Sequence, residues 1–306
     1  MKKKYNIVIL IIFLSITIEF SLRFFLGFCD APLYISDESY EYIAAPNQNG
    51  KRFGNTYSFN SFSQRSKEVN PNKTKILGLG DSVIYGGVQS DQDSIATSIV
   101  NKKLPNLQML NISSGSWGPD NCSAYLKKYG TFNAKAMLLV VSSHDAFDVM
   151  DFQPVVGNHI SYPKQQYQLA WWELLDRYVN PRITKVFSKK TKLDPDEKAN
   201  QGIEKNGINF NPGFDELKLI SRNFDLPLII YLHPEKSELQ KKKYNAQGGL
   251  ILNWATKNEI KILKGLDYNF TNIDYRDVIH LSNSGQKKLA EIMINELKTT
   301  IKYTSN

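Results

Sequence analysis

The residues best suited to chemistry are one serine and, much later in the chain, an Asp-x-x-His pair. Ser82 closes the run KILGLGDS, in which a short apolar stretch ends at Gly80. Asp277 and His280 stand three positions apart, directly before the last amphipathic stretch. A serine hydroxyl is a weak nucleophile at neutral pH and needs an adjacent base, and an aspartate can orient a histidine for that role. Gly-Asp-Ser alone is typical of many turns, but the three residue types together indicate nucleophilic catalysis by serine.

Two further polar segments lie between these ends, and each follows a short apolar run. The first, LNISSGSWGPDN, contains Gly115 and Ser116, and the second, VVSSHDAFD, contains His144. The carboxyl ends of parallel strands meet at one edge of a sheet, where the active sites of open α/β folds are built. We therefore expect these segments to converge with the serine and the Asp-x-x-His pair on one site.

The elements that would position these residues alternate between short apolar runs and amphipathic stretches. The runs are continuous in apolar character, as expected of strands that are buried on both faces. The candidate strands span 75–80, 107–112, 136–142, 226–232 and 260–265. The candidate helices span 92–104, 120–130, 213–224, 244–258 and 284–302. This alternation predicts a three-layer α/β/α sandwich around a central five-stranded, mostly parallel sheet.

The N-terminus predicts a membrane-spanning helix within a signal anchor over residues 1–29. Three lysines at 2–4 precede the stretch 5–28, which only Glu19 and Arg23 interrupt with charge. About 20 apolar residues span a bilayer, and the two charges can pair because they lie four apart on a helix. A cleaved signal peptide is the alternative, but no small-residue cleavage site is obvious. The lysines should stay cytoplasmic, which places the rest of the chain outside the cytoplasm.

Beyond the anchor, we expect a lead-in over 30–73, which is rich in loops, and a catalytic domain over 74–306. An insertion over 146–212 separates the third and fourth strands and contains Trp171, Trp172 and a charged run, KKTKLDPDEKANQG. The insertion either forms a lid or substrate platform, or is a surface segment without a functional role. The tryptophan pair favours contact with a ligand or a membrane surface, although a buried helix anchored by the pair would look the same in sequence.

Composition excludes several classes of protein and site. The chain has 306 residues, of which 42% are hydrophobic and 12% aromatic, as in globular proteins. The net charge of +8 is partly local, because lysines cluster at 2–4 and 241–243, and no basic stripe with interleaved aromatics indicates nucleic acid. Cys29 and Cys122 have no neighbour at metal-ligand spacing, and nothing in their spacing implies a disulfide. We expect no metal and no cofactor.

These motifs together resemble the SGNH hydrolase superfamily, the GDSL-type esterases, over residues 59–300. Its first block ends a strand with Gly-Asp-Ser, here ending at Ser82, and its last block is Asp-x-x-His before a helix, here Asp277 and His280. The resemblance implies that Ser82 is the nucleophile, that His280 is its base and that Asp277 orients the histidine.

The second and third blocks of that family build the oxyanion hole. In the second block the position that donates a backbone N–H is here Ser116, beside Gly115. The third block reads Gly-x-Asn-Asp in the family, and His144 stands where the asparagine would be. The resemblance implies an oxyanion hole made by the N–H groups of Ser82 and Ser116 and by the side chain of His144, which departs from the pattern.

Within the superfamily, the anchor and the segments FNSFSQRSKE (59–68) and GSWGPDN (115–121) look like extracytoplasmic proteins of bacterial polysaccharide export and O-acetylation. The resemblance implies a serine esterase or O-acyltransferase, with acetyl as the acyl group, a cell-surface glycan as substrate or acceptor, and export or acylation machinery as a partner. A membrane-surface lipase or thioesterase and a non-catalytic glycan-binding subunit remain the alternatives. Arg65 either folds back near the site or lies on the surface.

Overall fold

A long N-terminal helix leads into two small hairpins before the main sheet begins. The computed structural model describes residues 2–187, 203, 205 and 207–304. Helix α1 (Lys2–Leu26) is followed by the antiparallel hairpins β1 (Tyr34–Asp37) with β2 (Glu41–Ala44), and β3 (Gln48–Arg52) with β4 (Asn55–Phe59). Among the described residues, this helix alone is long and apolar enough to cross a membrane, over Lys4–Leu26.

The two hairpins lie within the predicted lead-in over 30–73, where loops connect their short strands. Their strands have only four or five residues, which is too short for an alternating pattern to stand out in sequence. They are nevertheless anchored by aromatic side chains, because Tyr40, Tyr42 and Tyr57 are buried and join the main core.

The main sheet has five parallel strands, as predicted. They are β5 (Thr74–Gly80), β6 (Leu107–Ser113), β7 (Met137–Ser142), β8 (Leu228–His233) and β9 (Lys261–Lys264). Their order across the sheet is β6-β5-β7-β8-β9, so the chain begins in the interior of the sheet, steps to one edge and then returns toward the other. A doubly wound sheet of this order has a switch point at the carboxyl ends of its first and third strands, here β5 and β7.

Helices cover both faces of this sheet. The described helices that follow α1 are α2 (Ser82–Tyr85), α3 (Ala96–Lys103), α4 (Pro119–Tyr129), α5 (Ala170–Leu174), α6 (Asn180–Phe187), α7 (Gly213–Asn223), α8 (Lys236–Lys241), α9 (Ala246–Lys257) and α10 (Asn283–Thr304). Alternate strand residues face opposite layers: Ile76 and Leu138 pack with α2, α3 and α10, whereas Leu77 and Leu139 pack with α4, α7 and α9. Full burial of each such side chain contributes about 1.5–3 kcal/mol. The predicted α/β/α sandwich is confirmed.

Within the insertion after β7, α5 packs beside α1. Helices α5 and α6 are joined by one π-helical segment, Leu175–Val179, so residues 170–187 form one continuous helical stretch. Trp171 and Trp172 are exposed on it, so the alternative of a buried helix anchored by this pair is wrong. The charged run at 189–202 lies outside the described residues. Cys29 and Cys122 are free thiols.

Candidate active site

The serine is presented by a tight turn between β5 and α2. Gly80 has a φ of 149°, and a Cβ there would lie 2.3 Å from the carbonyl oxygen of Val140, so only glycine fits this position. Asp81 then caps the helix, because its Oδ1 accepts a hydrogen bond from the N–H of Val83 at 2.8 Å. Ser82 is thus the first residue of α2, at the carboxyl edge of the sheet.

The predicted serine, histidine and aspartate lie in one hydrogen-bonded row. Nε2 of His280 is 2.9 Å from Oγ of Ser82, and its Nδ1 is 2.8 Å from Oδ2 of Asp277. Burial by itself would raise the pKa of Asp277, but the hydrogen bond and charge of His280, together with the N–H groups of Ile279 and His280, lower it to about 2. The carboxylate is therefore ionised at neutral pH, which favours the tautomer with the proton on Nδ1 and leaves Nε2 free to accept the serine proton.

A second histidine, which the sequence analysis did not predict, supports the loop that carries His280. His233 ends β8, and its Nε2 donates to the carbonyl of Ile279 at 2.8 Å. Burial lowers the pKa of His233 to about 4, so this donor stays neutral at physiological pH. The N–H of Lys236 also donates to the carbonyl of Val278 at 2.9 Å. The one signal in sequence is a histidine at the very end of a buried strand.

The loop after β6 brings Ser116 and Gly115 to the same edge. Ser116 has a φ of 55°, in the left-handed region. The hydroxyls of Tyr42 and Tyr162 both donate to the carbonyl of Gly115 at 2.9 Å. Because the peptide group is planar and trans, the N–H of Ser116 points away from those tyrosines. The orientation of this donor thus depends on one tyrosine from β2 and one from the insertion, which local sequence patterns do not reveal.

Arg65 lies against the turn that follows the serine helix rather than on the surface. Its guanidinium is buried and donates to the carbonyls of Tyr85 and Gly87 at 2.7 Å and of Ser90 at 2.8 Å. These three hydrogen bonds fix the turn, because its carbonyls would otherwise lack partners. Of the two positions expected for Arg65, near the site or on the surface, the structure shows the first.

His144 lies among three carboxylates at the end of β7. Its Nδ1 is 3.4 Å from Glu235, and its Nε2 is 3.9 Å from Oδ2 of Asp81. Burial opposes the charged imidazole, but the negative charge of Asp145, the hydrogen bond to Glu235 and the charge of Asp81 together raise the pKa of His144 to about 10. The raised pKa favours the protonated imidazole, in which both nitrogens are donors.

The same group also has the composition of a metal site. Asp81, His144 and Asp145 each offer a ligand atom, and these atoms lie within 4.8 Å of one another. One carboxylate oxygen of Asp81 and one of Asp145 are buried without a hydrogen-bond partner among the described residues. A protonated His144 offsets part of the negative charge of these carboxylates.

The serine, its histidine base and the candidate oxyanion groups open into one cavity of about 970 Å³. Ser82, Gly115, Ser116, His144 and His280 line one part of it, and Asp277 lies behind His280. Arg52, Phe53, Arg177 and Tyr178 line another part. The structure thus brings together the six residues that the sequence analysis selected. It also extends the cavity toward the segments next to α1.

The comparisons with known proteins found similarity to solved structures, but not to a protein-family model or a curated protein. Among solved structures, the chain is similar to a carbohydrate acetylesterase from Sinorhizobium meliloti, with 12% identity over 74% of this chain and 99% of that one, at a TM-score of 0.44. It is also similar to a member of the lipolytic G-D-S-L family from Veillonella parvula (9% identity, 74% and 98%, TM-score 0.40) and to a psychrotrophic esterase from Pseudoalteromonas sp. (12%, 76% and 100%, 0.40).

The predicted α/β/α fold is confirmed, and its details agree with the resemblance to SGNH hydrolases. The sheet order and the position of all four SGNH motifs at its carboxyl edge agree with that fold. The chain departs from the SGNH pattern at His144, whose imidazole stands where the pattern has an asparagine.

Proposed function

We propose that this chain is a membrane-anchored serine esterase or O-acyltransferase that acts outside the cytoplasm through Ser82, His280 and Asp277. The observation that carries the proposal is the row of two short contacts, 2.9 Å from Ser82 to His280 and 2.8 Å from His280 to Asp277. A base within hydrogen-bond reach of the serine, and an ionised carboxylate behind that base, are the requirements for an activated serine nucleophile.

In the first half-reaction, Oγ of Ser82 attacks the carbonyl carbon of an ester while Nε2 of His280 takes the hydroxyl proton. The ester C–O bond then breaks, and His280 returns the proton to the leaving alcohol, so that the acyl group stays on Ser82. In the second half-reaction His280 deprotonates water or an acceptor hydroxyl, which attacks the carbonyl carbon of the acyl-serine. The bond from that carbon to Oγ of Ser82 then breaks, and His280 returns the proton to Oγ. Water as acceptor gives hydrolysis, and a sugar hydroxyl gives transfer.

The negative charge that develops on the carbonyl oxygen is stabilised by three groups. Two are the N–H groups of Ser82 and Ser116, and the third is the protonated side chain of His144. Removing one donor of this kind costs about 2.7–4 kcal/mol of barrier. A charged donor forms hydrogen bonds roughly twice as strong as those of a neutral one, so His144 more than replaces the asparagine of the SGNH pattern.

The acyl group, the substrate and the location form the finer part of the proposal. A cavity of about 970 Å³ exceeds what an acetyl group needs and has room for a sugar, and its lining contains several hydrogen-bonding side chains. We propose acetyl as the acyl group and a cell-surface glycan as substrate or acceptor. Lysines at 2–4 ahead of α1 favour a cytoplasmic N-terminus and hence a catalytic domain on the far side of the membrane.

The test uses the full chain in detergent with a chromogenic acetyl ester and a fluorophosphonate probe. Ser82→Ala should abolish both turnover and labelling, whereas Ser39→Ala, at an exposed serine, should retain both. Peptide mass spectrometry should find the phosphonate on Ser82. Wild-type turnover by Ser82→Ala, or binding of acetylated glycan without any turnover, would contradict the proposal and favour the glycan-binding alternative.

Hydrolase and transferase are separated by the products in the host. If the protein transfers acetyl, a strain that carries only the Ser82→Ala form should lose acetyl from its surface polysaccharide. If it hydrolyses acetyl esters, the polysaccharide of that strain should gain acetyl.

A further inference from the structure

The anchor helix is joined to the insertion by specific polar contacts. The carboxylate of Glu19 accepts hydrogen bonds from the N–H of Ala170 at 2.7 and 2.9 Å and from that of Trp171 at 3.2 Å. Arg23 pairs with Glu19 at 2.6 Å and donates to the carbonyl of Gln168 at 2.5 Å. An acidic side chain at the start of a helical stretch is favourable. The charge at Glu19 therefore serves to hold the insertion against α1.

This contact fixes the depth of the insertion relative to a bilayer. Glu19 lies seven residues before the end of α1 at Leu26, which is about 10 Å along a helix. The uncharged stretch before it, residues 5–18, is about 21 Å long, whereas the hydrocarbon core of a bilayer is about 30 Å thick. To span it, α1 must stay within hydrocarbon beyond Glu19, along exposed residues such as Phe24. About 9 Å of hydrocarbon core then remains beyond Glu19, so the start of α5, which lies beside Glu19, is in the outer part of the bilayer.

The surface of the insertion at this depth is apolar and exposed. The large apolar side chains exposed on it are Leu169 (44%), Trp171 (37%), Trp172 (52%), Leu175 (37%) and Ile183 (49%). Tryptophan is enriched at the level of the lipid head groups, because its ring is apolar and its N–H polar. We call residues 169–183 the membrane-facing segment.

The same segment forms part of the wall of the catalytic cavity. Arg177 and Tyr178 line that cavity, and both belong to the π-helical segment between α5 and α6. A buried ion pair from Arg52 to Glu173 at 2.5 Å, and a 3.0 Å hydrogen bond from Arg52 to Tyr178, fix this wall to β3. The exposed apolar side chains and the cavity wall are thus carried by one rigid stretch.

We infer that the membrane-facing segment is seated in the outer surface of the bilayer, and that Ser82 acts on a substrate held in that surface by a lipid chain. The second part rests on the proposed function. Such a substrate would keep its apolar chain among the lipids and extend its ester, or its acceptor hydroxyl, past Arg177 and Tyr178 to the serine. This assigns the insertion a role as the substrate platform, and it narrows the substrate to a lipid-linked molecule.

The position of the membrane-facing segment in the bilayer, here called the membrane seat, is tested by quenching tryptophan fluorescence. The quencher is brominated phosphatidylcholine in vesicles that contain the full chain. Trp171 and Trp172 should be quenched by bromine near the head groups, and Trp171→Phe with Trp172→Phe should remove most of that quenching while preserving the apolar surface. Trp254→Phe is the matched control, because Trp254 packs against Phe214 of the core and its loss should leave the quenching unchanged. Equal quenching in the double variant and the wild type would overturn the membrane seat.

The substrate class is tested with two acetyl esters, p-nitrophenyl acetate in water and 1,2-diacyl-3-acetylglycerol in phosphatidylcholine vesicles. Trp172→Glu with Ile183→Glu should lower turnover of the vesicle substrate at least tenfold and change turnover of the soluble ester less than twofold. Equal effects on both substrates would overturn the inference while Ser82-dependent turnover still supports the proposed function. If the wild type turns over neither ester, the proposed function and the lipid-linked substrate both fail, and the fluorescence result still decides the membrane seat.

Discussion

Replacing His144 should reveal how much a charged donor contributes to the proposed oxyanion hole. Its Nε2 is 3.9 Å from Asp81, too far for a hydrogen bond, so this N–H is available to a substrate oxygen. One unit charge about 4 Å from a developing oxyanion contributes about 4 kcal/mol at an effective dielectric constant of 20. That value agrees with the roughly 2.7–4 kcal/mol measured for single donors. His144→Ala should therefore lower kcat by about 10²- to 10³-fold.

His144→Asn separates the charge from the hydrogen bond. A neutral amide should keep about half of the interaction, so kcat should fall only about 10- to 30-fold. The pKa of His144 is raised to about 10, so its charged form is complete below its ordinary value near 6.5 and is lost as pH rises through 10. Wild-type kcat should therefore decline near pH 10 with a limb that His144→Asn lacks.

The assay is steady-state hydrolysis of a chromogenic acetyl ester from pH 6 to 10.5, with background hydrolysis subtracted and with folding checked by thermal denaturation. If folded His144→Ala retains kcat within twofold of wild type while Ser82→Ala is inactive, His144 does not bind the oxyanion. If wild type and His144→Asn have the same kcat and the same alkaline limb, the charge argument is wrong.

Four further outcomes follow from the site and its supports. Asp277→Asn should reduce kcat by about 10⁴-fold, because His280 takes the wrong tautomer. The depressed pKa of Asp277 adds up to about 2 kcal/mol of stability, so urea denaturation should show this variant less stable at pH 7, with the difference vanishing as pH falls through 2. Arg52→Ala should lower the unfolding free energy by about 3–5 kcal/mol, since it breaks the buried ion pair and leaves Glu173 only the N–H of Cys29 and the more distant Arg177; an unchanged denaturation midpoint would contradict this. Gly80→Ala should lower both stability and fluorophosphonate labelling, because its Cβ would meet a neighbouring carbonyl at 2.3 Å. Treatment with EDTA should leave kcat within twofold, and loss of activity restored by a divalent metal would instead assign the aspartate–histidine cluster to an ion.

The sheet could be read from the sequence because strands buried on both faces leave continuous apolar runs. The run predicted over 226–232 is observed at Leu228–His233, and the run over 107–112 at Leu107–Ser113. The site residues followed from topology, since parallel strands bring the ends of distant segments to one edge. The parallel sheet, the position of the motifs and their resemblance to those of SGNH hydrolases together predicted that Ser82 and His280, 198 residues apart, would lie near each other.

The supports of the site could not be predicted in the same way. Tyr42 holds the carbonyl of Gly115 from 73 residues away, and no local period or spacing encodes that contact. The pairing of Glu19 with Arg23 could be predicted, because the two residues lie four apart on a helix. The hydrogen bonds that Glu19 accepts from N–H groups of the insertion could not. Both contacts depend on how separate segments pack, which hydrophobic patterning does not specify.

The charges around His144 explain how a histidine fits where the SGNH pattern has an asparagine. A neutral asparagine in its place would leave Asp81 and Asp145 as two buried carboxylates with no positive partner, and burial already raises the pKa of both. The imidazolium supplies that partner, and Glu235, which caps α8, adds a third carboxylate on its other side. The negative cluster raises the pKa of the imidazole, and the positive charge of the imidazole offsets part of the burial that raises the pKa of the two acids. A departure from the SGNH pattern at one residue is therefore matched by its neighbours on three strand ends, as expected of a position that carries charge for the site rather than one that has lost its role.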